Sequence, residues 1–146
     1  MLVWRTAPLL DPLTVTGEAE LALTLSASYD EPAIFAYLEL VDARGEIYYV
    51  TEAILRSTAS AGQTTRLALR FLPTSVRVPA GWRLQIGLAA TDADTFPIPL
   101  PADARWTVAI GGEDPATLSL PVRRGVALSA PTAPRGWRSR ASRGRP

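Results

Sequence analysis

Apolar and polar positions alternate with a period of two through most of this chain. In "AELALTLSA" Leu21, Leu23 and Leu25 share one face, with Glu20, Thr24 and Ser26 on the other. "IFAYLELVD" places Ile34, Ala36, Leu38 and Leu40 on one side, and "RLALRFL" aligns Leu67, Leu69 and Phe71, leaving Arg66 and Arg70 outside. "RLQIGLAA" aligns Leu84, Ile86 and Leu88. "ARWTVAIG" does the same with Trp106, Val108 and Ile110, and "TLSLPV" with Leu118, Leu120 and Val122. The run "IYYVTEAILR" suits a strand or a short helix and is read as a strand. Adjacent Tyr48 and Tyr49 then point to opposite faces, so one is expected buried and one exposed.

Turn chemistry separates these runs. "DARGE" (42–46) is a tight connection with Gly45 available for positive φ. "LPTSVRVPAG" and "GGEDPAT" break the chain with proline and glycine. About seven or eight short strands without a long helix predict an all-β, two-sheet β-sandwich; a closed barrel is the alternative.

Composition then removes most chemistry. The 146 residues include no histidine and no cysteine, so neither a Ser-His-Asp nor a Cys-His arrangement can be built from them. The usual zinc sites and disulfides are excluded for the same reason. All 15 basic residues are arginine, which stays protonated and is a poor general base. No cofactor and no independent enzymatic activity are expected. A length of 146 residues suits one domain. No apolar run approaches the ~20 residues of a membrane helix, and "MLVWRTAPLL" lacks the shape of a signal peptide. The expectation is a cytoplasmic chain with no membrane partner.

The net charge of +1 conceals an asymmetry, because five arginines and no acids follow position 134. A sandwich domain over 1–130 is expected, with 131–146 a disordered Arg-rich tail. Arginine clusters also suit nucleic acid, but the reading here is a solvated end and no nucleic-acid partner.

Several motifs together resemble one family. "FAYLELVDARGEIYYVTEAILRS" (35–57) is similar to the C-terminal β-sandwich domain of X-Pro dipeptidyl-peptidase and cocaine-esterase (CocE/NonD) type serine hydrolases. The matching elements are Tyr37-Leu38-Glu39, Val41-Asp42 with Gly45, Tyr49-Val50-Thr51-Glu52 and Leu55-Arg56. "FLPTSVRVPAGWRLQIGLAATDADTF" resembles its second block, while "RTAPLLDPLTVTGEAELAL" and "LSLPV" resemble its beginning and its closing strand. Departures are Trp82 in place of a usual histidine, Ala53 in place of a usual glycine, and a short connection in "STASAGQTTR".

The resemblance implies a jelly-roll, galactose-binding-like domain that follows an α/β-hydrolase domain and helps to wall its substrate cleft. In that family the catalytic triad belongs to the hydrolase domain, so no catalytic residue carries over. The expected partner is an α/β-hydrolase domain, of the same parent chain or a separate subunit; self-association into a homo-oligomer stays open. The parent reaction would be hydrolysis of esters, amides or X-Pro peptides. A stand-alone carbohydrate-binding or adhesion-type module is the alternative, using exposed tyrosines to stack on sugar rings.

Asp92 and Asp94, two apart in "ATDADTF", admit three readings. A general acid/base pair lacks a nucleophile or cleft to serve. Calcium ligation would use both carboxylates with backbone carbonyls. Asx-turn capping, each carboxylate accepting backbone N–H groups, is the reading adopted. The turn would present Phe96 to a neighbouring domain, and Trp82 would cap the core at the sandwich rim. Phe96, Trp82, Asp92 and Asp94 form the candidate domain interface.

Overall fold

The alternating segments all form strands in a computed structural model, which describes residues 1–123. The candidate boundary at residue 130 and the segment 131–146 lie outside the described residues. Eleven strands are present among the described residues: β1 (Leu2–Arg5), β2 (Leu13–Gly17), β3 (Glu20–Ala27), β4 (Ala33–Val41), β5 (Ile47–Arg56), β6 (Thr65–Arg70), β7 (Thr74–Val78), β8 (Arg83–Ala89), β9 (Trp106–Ala109), β10 (Thr117–Ser119) and β11 (Val122–Arg123). The excess over the expected number has two sources. β1, β2 and β7 are runs of four or five residues in segments marked by proline, too short for alternation to identify. The closing segment "TLSLPV" is divided into β10 and β11 at Pro121.

One layer is a four-stranded antiparallel sheet in the order β1-β8-β4-β5. The other contains two ladders, β10-β3-β6 and β11-β2-β7, with β9 end to end with β10 along the same edge of β3. The two orders correspond because each strand of one ladder continues into a strand of the other: β2 into β3, β6 into β7, β10 into β11. All three break at the same level. Thr16 N–H donates to Pro121 O at 3.0 Å and Phe71 N–H donates to Ala19 O at 2.9 Å, stitching the three strands across the break. Gly17 takes φ 121° there, and a Cβ on it would lie 3.3 Å from Pro121 Cγ. The second layer is therefore one sheet bent along a common line, and the whole is a β-sandwich.

The core is what the alternation places between the layers. Leu21, Leu23 and Leu25 of β3 and Leu67 and Leu69 of β6 meet Ile34, Ala36, Leu38 and Leu40 of β4 and Leu84, Ile86 and Leu88 of β8, all buried. Phe71 fills the bend and is also buried. The "DARGE" turn behaves as its residues dictate. Asp42 Oδ1 accepts the N–H groups of Arg44 and Glu46 at 2.8 and 2.9 Å, and Gly45 has φ 91°. No helix among the described residues is long and apolar enough to cross a membrane.

Candidate docking face

Two aromatics of β4, Phe35 and Tyr37, stand on the face of the first sheet that points away from the core. Cross-strand register builds that face in rows: Phe35 lies beside Ile54 and Ala89; Tyr37 beside Glu52 and Gly87; Glu39 beside Tyr49 and Gln85; Val41 beside Ile47 and Arg83. The β4–β5 register shifts between Leu38 and Glu39, where β5 carries an extra residue, Val50. This bulge keeps Tyr49 and Ile47 on the outer face after Thr51 has turned into the core.

The loop after β8 folds back over the upper row. Asp92 organises it: Asp92 Oδ1 accepts the N–H groups of Asp94 and Thr95 at 3.1 and 3.2 Å, and Phe96 N–H donates to Asp92 O at 2.9 Å. Tyr37 donates its hydroxyl to the other carboxylate oxygen, Oδ2, at 2.9 Å. The Tyr37 bond, reinforced by the Thr95 and Asp94 amides against an opposing desolvation effect, holds the Asp92 carboxyl below its ordinary value. Burial first, and the bond to Asp92 second, push the Tyr37 hydroxyl well above the usual tyrosine range.

The expected Asx turn is thus made by Asp92, but Asp94 takes part through its backbone N–H, not its carboxylate. Among the described residues no three His, Cys, Asp or Glu side chains cluster to hold a metal ion.

The turn lays Phe96 on Phe35, ring centroids 6.2 Å apart and 28° from parallel. Phe35 is only 1% exposed as a result, while Phe96 is 50% exposed. Phe96, Phe35, Ile54, Pro97 and Ile98 line a shallow groove of about 370 Å³, with Arg56 at its margin paired to Glu31 at 3.2 Å. Further along the same face of β5, beyond Glu52, Tyr49 and Ile47 are exposed as well. Beside it runs a polar ladder, in which Arg5 Nε–H donates to Gln85 Oε1 and Gln85 Nε2–H to Glu39 Oε2. Gln85 is buried, so its amide is satisfied on both sides.

Trp82 does not join Phe96. It precedes β8 at the end where Arg83 pairs with Val41, whereas Phe96 lies where Ala89 pairs with Phe35. Six residue steps separate the two ends, about 20 Å. Trp82 packs on the core rim as expected and stacks on Tyr48, centroids 5.2 Å apart. The expectation that one of Tyr48 and Tyr49 is buried fails: they are 45% and 60% exposed. They occupy the end of the sandwich beside the turn, where Trp82 stacks on Tyr48 and the bulge lifts Tyr49 outward.

Residues 1–109 match the family of the X-Pro dipeptidyl-peptidase C-terminal non-catalytic domain. The chain belongs to that family. Its curated relatives include a candidate serine esterase of Mycobacterium bovis, 32% identical over 125 residues, the match covering 67% of this chain. A counterpart from Mycobacterium tuberculosis gives the same values. The chain spans about a fifth of the length of these relatives, 20% in each case. Among solved structures, an alpha-amino acid ester hydrolase superposes with TM-score 0.73 at 20% identity, over 84% of this chain and 25% of that one. An aminopeptidase from a marine sediment Thaumarchaeota archaeon gives TM-score 0.73 at 17% identity, with the same coverage. A CocE/NonD family hydrolase of Staphylococcus aureus gives 0.63 at 13%, over 84% of this chain and 30% of that one. At such identities the likeness establishes the fold. The family so matched is described as a non-catalytic domain.

The sequence does carry a signal for this face. If Ile34, Ala36, Leu38 and Leu40 face the core, then Phe35 and Tyr37 occupy the nominally polar side. Two aromatics there mark a covered surface. Tyr37 as the partner of Asp92 had no local signal, since 55 residues separate them.

Proposed function

We propose that this chain is the accessory domain of a serine hydrolase and that the outer face of its first sheet seats against an α/β-hydrolase domain, helping to stabilise it and to wall its substrate cleft. The observation that carries the reading is a strip of exposed side chains on one face of the first sheet, Ile54, Tyr49 and Ile47 of β5 interrupted by Glu52, with Phe96 of the loop after β8 laid over its end. Such a strip on a protein surface marks an interaction site. Phe96 suits the role of anchor, because its position is set by a hydrogen-bonded turn and by Phe35 below it, so little freedom is lost on docking. The names of the relatives support hydrolysis of esters or peptides as the reaction of the whole protein.

Binding between the purified chain and a matching α/β-hydrolase domain tests the reading. Phe96→Ala should weaken association by more than about 1 kcal/mol, roughly fivefold in Kd, and Phe96→Ala with Ile54→Ala by more. Tyr48→Ala, at the far end, should leave it unchanged. A glycan-binding module would behave in the opposite way, losing sugar affinity with Tyr48 or Tyr49 and ignoring Phe96. Association that survives both substitutions in the groove removes this face from the proposal.

A further inference from the structure

The edge of β3 opposite β6 is covered in two pieces. β9 pairs with β3 from Thr24 to Ala27 and β10 from Glu20 to Ala22, so Leu23 lies at the gap between them. Between the pieces the chain leaves the sheet as a loop, 110–116, with Gly112 at φ 92°. The loop is fastened from outside. Arg66 reaches across the solvent face of β3, past Thr24, and donates from Nη1 to Asp114 O at 2.9 Å and from Nη2 to Pro115 O at 3.1 Å. On the facing layer the corresponding edge is β1, which pairs with β8 and not with β9 or β10. Among the described residues the two layers are therefore left open to each other on this side.

The opening is a half-enclosed cavity of about 190 Å³, walled by Trp4, Leu23, Ile86, Val108, Ala116 and Leu118. Thr117, which is exposed, and the indole N–H of Trp4 are the polar side-chain groups of its lining. Water held in such a space would need two to four polar partners, and a mainly apolar lining offers few. The volume is slightly above that of an apolar cavity of about 150 Å³ that stays dry and admits benzene. It is below the range of about 300–1,000 Å³ typical of sites for larger ligands.

We propose that this cavity is a binding site for a small apolar molecule of about benzene size, aromatic or short aliphatic, with any polar end left at the mouth beside Thr117. The site is on the opposite edge of the first sheet from the β5 strip, and it does not depend on the docking reading.

The test is fluorine NMR of fluorobenzene titrated with the full chain. Saturable, one-to-one binding is expected, weakened about tenfold or more by Ala116→Leu, which fills the cavity from its mouth. Val108→Phe fills it from the wall and should act in the same direction if Ala116→Leu does not fold. Phe96→Ala, at the docking groove, should leave the affinity unchanged. Arg66→Ala, which frees the loop, should speed exchange of the bound probe. Absence of saturable binding to the full chain overturns the proposal. So does binding that persists in folded cavity-filling variants, or that is lost with Phe96→Ala.

Discussion

Tyr37 of β4 donates a hydrogen bond of 2.9 Å to Asp92, the residue that organises the loop after β8. A strand interior and a surface turn are thereby locked together, and Phe96 is held in place as the consequence. Tyr37→Phe should lower the denaturant midpoint, because the Asp92 carboxylate loses its side-chain donor. Backbone amide exchange of residues 92–96 should rise in the same variant. Protection that stays at the wild-type level would show that the turn stands without Tyr37.

The same pair sets a pH dependence. In the unfolded chain Tyr37 ionises near its ordinary value of 10.0, and in the folded chain only at higher pH. Its contribution is full below about pH 10 and declines above it, because the unfolded state then binds fewer protons than the folded state. Asp92 acts at the other extreme: its lowered value gives stability above about pH 4 that is lost as the pH falls through the folded value. Urea titrations from pH 9 to 11 should show a steeper decline for the wild type than for Tyr37→Phe. Parallel declines would assign the alkaline loss to other tyrosines.

Core and face should separate on truncation. Ile86→Ala removes a buried side chain of the central strand and should cost about 2–5 kcal/mol. Phe96→Ala should cost under about 1.5 kcal/mol, since half of the ring is already in water. Denaturant midpoints with unchanged slopes measure both. Comparable losses would make Phe96 a core residue.

This contrast also bounds what the sequence discloses. Leu84, Ile86 and Leu88 could be placed because alternation is a local property that pairing with any neighbour preserves. Phe96 could be placed outside the sheet because "PIPLP" follows it. The difference between Asp92 and Asp94, by contrast, is not legible: two carboxylates in one turn look equivalent in a sequence, and only the fold decides which meets the backbone N–H groups. Trp82 and Phe96 look like neighbours because one stretch carries both. The intervening β8 instead carries them to opposite ends of the sheet.

Gly17 sits at the bend of the second layer with φ 121°, a conformation costly to any L side chain. Gly17→Ala should lower stability by about 1–3 kcal/mol, with thermal unfolding as the measure. Gly45→Ala, at φ 91° with open space around its Cβ position, meets only the backbone cost and should lose less.

For the chain by itself, turnover of p-nitrophenyl esters or X-Pro amides should not exceed the rate in buffer, since it has no histidine, cysteine or lysine to activate a nucleophile. Hydrolysis that travels with the purified protein and is abolished by replacing one of its serines would overturn this.

The interruption between β9 and β10 has an effect beyond the space behind it. A free sheet margin invites strands from other molecules, and a long flat one is an aggregation hazard. Here the margin presents runs of only four and three residues on either side of a projecting loop, followed by two residues at β11. The ten-residue margin at β5 is blocked midway in another manner, by Leu72 N–H donating to Glu52 O at 3.0 Å. Neither of these two margins offers an uninterrupted template to a strand from another chain.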